Sequence, residues 1–294
     1  MWAFHARRFR HPVPPEFLTD RVVFSQQPPI RLKRCNSCTH LYRNPRESPD
    51  AVRRAYSQTG PDQSVYETLF ENQRVAFKAQ VRRLLDFSPR ARRGLEVGSY
   101  VGAFLAASRD AGLSFSGIDV NDTAAVFAAG KGLSVETCSI DEVRSDTPFD
   151  AIAIWNTFEQ LPDVRAATLA ARRLLRDGGV FAVRVPNSGF YIQWRRRLNG
   201  PLAPFAERML VHNNLLGFPY REGFTARSMR RLLTDAGFDI QRLHGDTLFP
   251  ISDRWTKTRG TIDERFTKKL QRVFQRGWRA PWVEVYSIAR SGRE

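Results

Sequence analysis

The 294-residue chain is poor in cysteine and lysine and has no long apolar run. No segment approaches the ~18 apolar residues that a membrane-spanning helix needs. No apolar stretch follows the basic N-terminal residues Met1 to Pro15, so no secretory signal is expected. Three cysteines cannot build a disulfide framework, and a reducing compartment fits better. Hydrophobic residues make up 42% and charged residues 26%, which excludes a wholly disordered or fibrous chain. The length allows one large domain or two small ones. The expectation is a soluble, cytoplasmic, globular protein of unspecified oligomeric state.

Lysine supplies only six of the 46 basic residues; the other 40 are arginine. Against 30 acidic residues the net charge is +16. It is unevenly placed. Met1–Arg93 has 18 basic and 8 acidic residues, Gly94–Asn187 has 8 and 12, and Ser188–Glu294 has 20 and 10. The nets are +10, −4 and +10. Basic flanks around an acidic middle suit an anionic partner or surface; the plainer reading is an arginine-rich composition with solvated side chains.

Residues 1–34 are rich in proline and arginine with weak periodicity, and residues 1–60 are read as an accessory segment ahead of one domain over 61–294. Asp62 to Phe87 has apolar residues at Val65, Leu69, Val75, Phe77, Val81, Leu84 and Leu85, the pattern of an amphipathic helix. Strand and helix then alternate. Strands are expected at Gly94–Val97, Phe115–Val120, Leu133–Thr137, Phe149–Asn156 and Val180–Val185, the last after a Gly178-Gly179 break. Helices are expected at 102–111, 122–131 and 163–175. Such alternation implies βαβ units and a parallel, doubly wound sheet. Residues 187–224 interrupt it as a lid-like insertion. A helix over Thr225–Ala236, with its N-cap at Phe224 or Thr225, and two late strands, Phe238–Leu243 and Trp282–Ala289, close the chain, the strands as an antiparallel edge.

The first strand runs into Glu96-Val97-Gly98-Ser99-Tyr100-Val101-Gly102. Glycine at a strand-to-helix turn lets backbone approach a ligand, and the helix N-terminus favours negative charge. The spacing is G-x-x-x-G, with Tyr100 where a further glycine would complete a dinucleotide fingerprint. Asp119 ends the second strand 21 residues beyond Gly98, where a carboxylate can accept hydrogen bonds from ribose hydroxyls. The plainer reading is that Asp119 caps the next helix, though Asp122 and Thr123 could fill that role. Together the glycine turn and Asp119 point to a nucleoside site.

Five segments in this order resemble class I S-adenosylmethionine-dependent methyltransferases, of the type 11, 12 and 23 groups. They are Leu95–Leu105, Gly117–Val120, Phe149–Asp163, Leu174–Gly179 and Thr225–Phe238. The resemblance implies a Rossmann-like, seven-stranded α/β sheet with an antiparallel last strand, and S-adenosylmethionine as cofactor. It places Glu96 and Gly98 beside the cofactor's amino-acid portion and Asp119 at its ribose, with Ser99, Tyr100, Gly102 and Val120 as further cofactor-binding residues. It also places Ser139 and Ile140 beside the adenine, and Asn156 at the mouth of the fourth strand. Two positions depart from the pattern: Tyr100 replaces the middle glycine, where its side chain crowds the methionine end, and Gln160 replaces a common histidine.

Methyl transfer from a sulfonium needs alignment in a dry pocket, with a base only when the acceptor is protonated. The candidates near the acceptor are Glu159, Gln160 and His212, the last for its near-neutral imidazole. Tyr191, Trp194, Asn213, Asn214, Tyr220 and Glu222 share the insertion with His212. The expected acceptor is a small molecule, a glycan or a lipid precursor, and the basic flanks suit an anionic one; RNA is the alternative, and a non-catalytic nucleoside-binding scaffold is the rival class. Cys35-Asn36-Ser37-Cys38 has the spacing of half a zinc ribbon, but only His5 and His11 lie upstream as further ligands, so a metal-free, degenerate zinc-ribbon-like hairpin is expected. Arg265 to Arg279 is expected to form a helix that packs Phe266, Leu270, Val273 and Phe274 on the core, with contact to a membrane surface as the second reading.

Overall fold

The computed structural model describes residues 32–46, 48–57, 62–213, 215, 221–247, 258–274 and 276–291. The expectations for residues 1–31, including His5 and His11, and for Asn214 and Tyr220 lie outside them.

The chain forms two compact units. The first gathers Met1–Glu47, Val185–Met229 and Leu243–Glu284; the second gathers Ser48–Arg184, Arg230–Arg242 and Val285–Glu294. In the first, β1 (Leu32–Arg34) and β2 (Leu41–Arg43) make an antiparallel hairpin. The second opens with α1 (Pro49–Ser57) and α2 (Gln63–Phe87). Alternation follows: β3 (Arg93–Val97), α3 (Ala103–Asp110), β4 (Ser114–Asp119), α4 (Asp122–Gly130), β5 (Val135–Thr137) and β6 (Phe149–Trp155). Then come α5 (Val164–Leu174) and β7 (Leu175–Pro186). The stretch read as an insertion holds α6 (Ser188–Arg195), α7 (Ala203–Val211) and β8 (Glu222–Gly223). The chain closes with α8 (Ala226–Asp235), β9 (Phe238–Asp246), α9 (Thr258–Phe274) and β10 (Trp282–Ala289).

The main sheet has the order β5-β4-β3-β6-β7-β10-β9, with β5 through β7 parallel and the last strand antiparallel. This is the expected Rossmann-like α/β arrangement. The central strands are apolar without alternation because both faces are covered. On β6, Ala151, Ala153 and Trp155 join Val81 and Leu84 of α2 and Phe104 and Ala107 of α3 in one cluster. Ile152 and Ile154 point the other way and are equally buried. Phe104 is the hub of the first cluster, with ring centroids 5.6 Å from Phe77, 5.3 Å from Phe115 and 5.4 Å from Trp155.

Several local readings change. Val75 is exposed, whereas Tyr66 and Phe70 take buried places on α2. Strand β7 begins at Leu175, not after the glycine pair: Phe149 pairs with Leu175 and Ala151 with Val180, so residues 176–179 bulge out inside the strand. The described residues of the 187–224 stretch include two helices and the two-residue strand β8, which pairs with β2, Leu41 with Gly223 and Tyr42 with Glu222. That pairing joins the N-terminal hairpin and the end of the insertion within one unit. Helix α8 is capped reciprocally, Ser228 N–H donating to Thr225 Oγ1 and Thr225 N–H to Ser228 Oγ, which fixes Thr225 as the N-cap. Helix α9 does not pack its apolar stripe on the core: Phe266 and Val273 are exposed, while Thr267, Lys268 and Gln271 are buried.

Phe104→Ala removes the ring that three other aromatics touch and should cost about 3–5 kcal/mol of stability in urea unfolding. A cost under about 1 kcal/mol would mean that the cluster closes over the gap and is not the centre of the core.

Candidate functional site

The glycine turn after β3 is stitched to the end of β4. Gly98 N–H and Ser99 N–H both donate to Ile118 O, at 2.8 and 3.1 Å, and Ser99 Oγ donates to the same carbonyl at 3.3 Å. Gly98 has φ +73°, and a Cβ there would lie 2.6 Å from the Thr157 side chain. Only glycine fits that backbone and that approach.

Tyr100 stands in the left-handed region, φ 46°, without glycine's freedom. Its N–H donates to Asp119 Oδ2 at 2.8 Å, and Asn121 N–H donates to Asp119 Oδ1 at 2.9 Å. One carboxylate therefore holds the glycine turn on one side and the start of α4 on the other. The N-cap of α4 is Asn121, whose Oδ1 accepts from Ala124 N–H at 2.8 Å, rather than Asp122 or Thr123. The Tyr100 ring meets Tyr66 edge-on at 5.6 Å, and Tyr66 Oη hydrogen-bonds Thr123 Oγ1 at 2.7 Å.

The electrostatics of this corner are unbalanced. Glu96 is buried and its Oε2 has no hydrogen-bond partner. Burial, and then the charge of Asp119, push its carboxyl well above the usual range. Burial also raises Asp119, against the opposing pull of the Tyr100, Asn121 and Val120 N–H groups. Tyr66 is raised in turn, by burial first, against its bond to Thr123, with Asp119 adding to the rise. Groups that resist ionising together are relieved by a cation set among them. S-adenosylmethionine carries such charge on its ammonium and sulfonium.

The neighbouring loops bring in the rest. Cys138 N–H donates to Asp119 O at 3.1 Å, which places Ser139 and Ile140 beside the end of β4. Ile140 is buried; Ser139 is half-buried and bonds Glu142 through its N–H at 2.7 Å and through its hydroxyl. Val120 is half-buried next to Asp119. Gly102, φ +73°, is the N-cap of α3. Asn156 is also left-handed, φ 59°, and its Oδ1 accepts from Arg184 Nη1 at 2.6 Å.

Helix α1 reaches three of these loops, which sequence reasoning missed. Tyr56 O accepts from Asn121 Nδ2 at 2.7 Å, Tyr56 Oη donates to Gln160 Oε1, and Arg53 lies 3.9 Å from Glu142. Gln160 Nε2 donates in turn to Asn156 O at 2.7 Å. The Gln160 amide is thus spent on α1 and the β6 loop. Glu159 is fully buried in the 3-10 turn Phe158–Gln160. His212 belongs to the first unit, half-buried at the C-cap of α7. In that unit a second polar group forms: Glu222 pairs with His40 at 2.6 Å and with Arg46. Cys35 and Cys38 sit in the β1–β2 loop, and among the described residues no three His, Cys, Asp or Glu side chains gather as a metal site requires.

A sequence profile of the methyltransferase domain family matches residues 69–243, more than half of the chain. The chain belongs to that family. No curated protein matches its sequence. Among solved structures, a possible histamine N-methyltransferase from Thermotoga maritima superposes with a TM-score of 0.50 at 17% identity, over 77% of this chain and 95% of its own. A magnesium protoporphyrin IX methyltransferase from Synechocystis, solved with S-adenosylmethionine, gives 0.51 at 13% identity, over 84% and 99%. At these identities the likeness is one of fold. The cofactor of this methyltransferase is S-adenosylmethionine, and the orphaned Glu96 oxygen and the close turn at Gly98 fit the ammonium of its amino-acid end.

Because native Glu96 holds its proton above the ordinary glutamate value of 4.5, the folded state loses stability as pH rises from that value toward the raised one. Glu96→Gln removes this loss. In the cofactor-free protein the variant should gain thermal stability relative to wild type as pH rises above the ordinary glutamate value of 4.5. A difference that does not change with pH would place the Glu96 carboxyl in an ordinary environment.

Proposed function

We propose that the protein transfers a methyl group from S-adenosylmethionine to an anionic small molecule, sugar or lipid precursor. The observation that carries the donor half is the acidic corner of Glu96 and Asp119, where burial opposes charge and a cation restores balance. When bound, the cofactor supplies an electrophilic methyl group on sulfur. Asp119 keeps lone pairs for ribose hydroxyls beyond the two N–H groups that it already accepts. Glu96 takes the ammonium, Gly98 and Gly102 admit the chain closely, and Ser139 and Ile140 flank the base. Gln160 acts as a positioning residue, since its amide joins α1 to the β6 loop.

The acceptor half rests on charge. The first unit carries 24 basic and 10 acidic residues, a net of +14, whereas the second carries 22 and 20, a net of +2. A cationic unit attached to a nearly neutral catalytic one suits an anionic acceptor. RNA is a second reading favoured by the same charge. Where the acceptor must lose a proton, His212 is the base we assign, histidine being the side chain most often used for that role.

Calorimetric titration with S-adenosylmethionine tests the donor half. Wild type should bind, and Asp119→Ala should weaken binding about 10–100-fold, the worth of one to two hydrogen bonds to a charged group. No binding by wild type would defeat the proposal. With an acceptor in hand, His212→Ala should lower kcat at least about 100-fold and leave cofactor affinity unchanged; full turnover would remove the base assignment. Turnover insensitive to moderate salt would remove the anionic acceptor.

A further inference from the structure

Helix α9 wears its amphipathic pattern inside out. Its polar residues Thr267, Lys268 and Gln271 are buried, and Gln271 is held by Asn213 Nδ2 at 3.1 Å and by the Met209 sulfur at 2.8 Å. Its large apolar residues face solvent: Ile262, Phe266 and Val273 are 62%, 67% and 64% exposed. At 100° per residue these three fall on one stripe about 40° wide. Arg265, Lys269 and Arg272, all exposed, run along one edge of that stripe, and Leu270, half-buried, lies on the other. Over the whole helix there are five basic and two acidic residues.

A monomer surface gains nothing from three large side chains held out in water along one stripe of a helix. We propose that this face of α9 is a docking surface for a lipid bilayer containing anionic headgroups. The stripe projects from a convex helix as separate knobs. A fluid bilayer accepts such knobs without a matching groove, and long cationic side chains beside them reach the headgroup layer. Charge argues against a second copy of the chain, because pairing this face with itself sets the arginine edge near another arginine edge. Nucleic acid would use the cations but leave the stripe in water, since a single ring offers little to stack on. The net +14 of the unit that holds α9 adds long-range attraction to an anionic surface.

The test is co-sedimentation of the full chain with vesicles of phosphatidylcholine alone and with vesicles in which about a third of the lipid is phosphatidylglycerol. The protein should pellet with the anionic vesicles, less so as salt rises, and stay in solution with the neutral ones. Ile262→Ser/Phe266→Ser/Val273→Ser should lower the partition coefficient about tenfold or more. Arg265→Gln/Lys269→Gln/Arg272→Gln should lower it similarly and flatten the salt dependence. Circular dichroism and S-adenosylmethionine titration report whether each variant stays folded. Failure to bind anionic vesicles, equal binding to both kinds, or wild-type binding by a folded triple serine variant would overturn the proposal. Self-association in sedimentation that the serine substitutions abolish would assign the face to a second copy instead, and RNA binding that they leave intact alongside absent vesicle binding would assign the cations to nucleic acid.

Discussion

The Asp119 carboxylate is the constraint on which the glycine-turn corner depends. It sits at the end of β4 and takes the Tyr100 N–H on one oxygen and the Asn121 N–H on the other. The first bond holds a non-glycine residue in a left-handed conformation that costs of order 1 kcal/mol or more on its own. The second starts α4, which Asn121 then caps. Through Asn121 the same carboxylate is one step from Tyr56 and α1, and through Tyr56 from Gln160 and the β6 loop. A single half-buried acid thus links the loops after β3, β4 and β6. Each of its N–H partners also lowers the cost of keeping it charged near Glu96.

The sheet was legible because its strands are buried on both faces and interrupted by helices at regular intervals; β3, β4, β6 and their helices begin and end within one or two residues of the periodic pattern. Gly98 and Asp119 were legible for a different reason, since each needs one residue type at one place in a βα turn. What escaped was decided over long distances. Helix α1 is only nine residues long, and its contacts are with residues 65 to 104 positions away. Asn121, Asp122 and Thr123 are all capable caps, so local chemistry did not choose among them. The stripe on α9 could be read, but the direction it faces is set by Asn213 and Met209, which hold the opposite side.

The same lesson applies to charge. Divided along the chain, the +16 separates into basic ends and an acidic middle. Divided by compact unit it separates further, +14 against +2, because the N-terminal hairpin, the insertion and α9 fold together although they lie far apart in sequence. The near-neutral unit holds the cofactor corner, whose acids want a cation. The cationic unit is the part of the molecule that would repel such a ligand and attract the opposite kind.

The pairing of β2 with β8 carries a consequence for the order of events in the cell. Residues His40 and Glu222, joined across that pair, are 182 positions apart. Emerging from the ribosome N-terminus first, the hairpin must wait with one edge open until its partner is synthesised, roughly 10 to 40 seconds later at ordinary rates of translation. In that interval most of the second unit is already available to fold. An open strand edge is a template for wrong partners. This one is three residues long and ends in Arg43, with Lys33 and Arg34 on the strand beside it. Brevity and positive charge guard the nascent hairpin during the wait, so some of its cations have work to do before the protein ever meets a substrate.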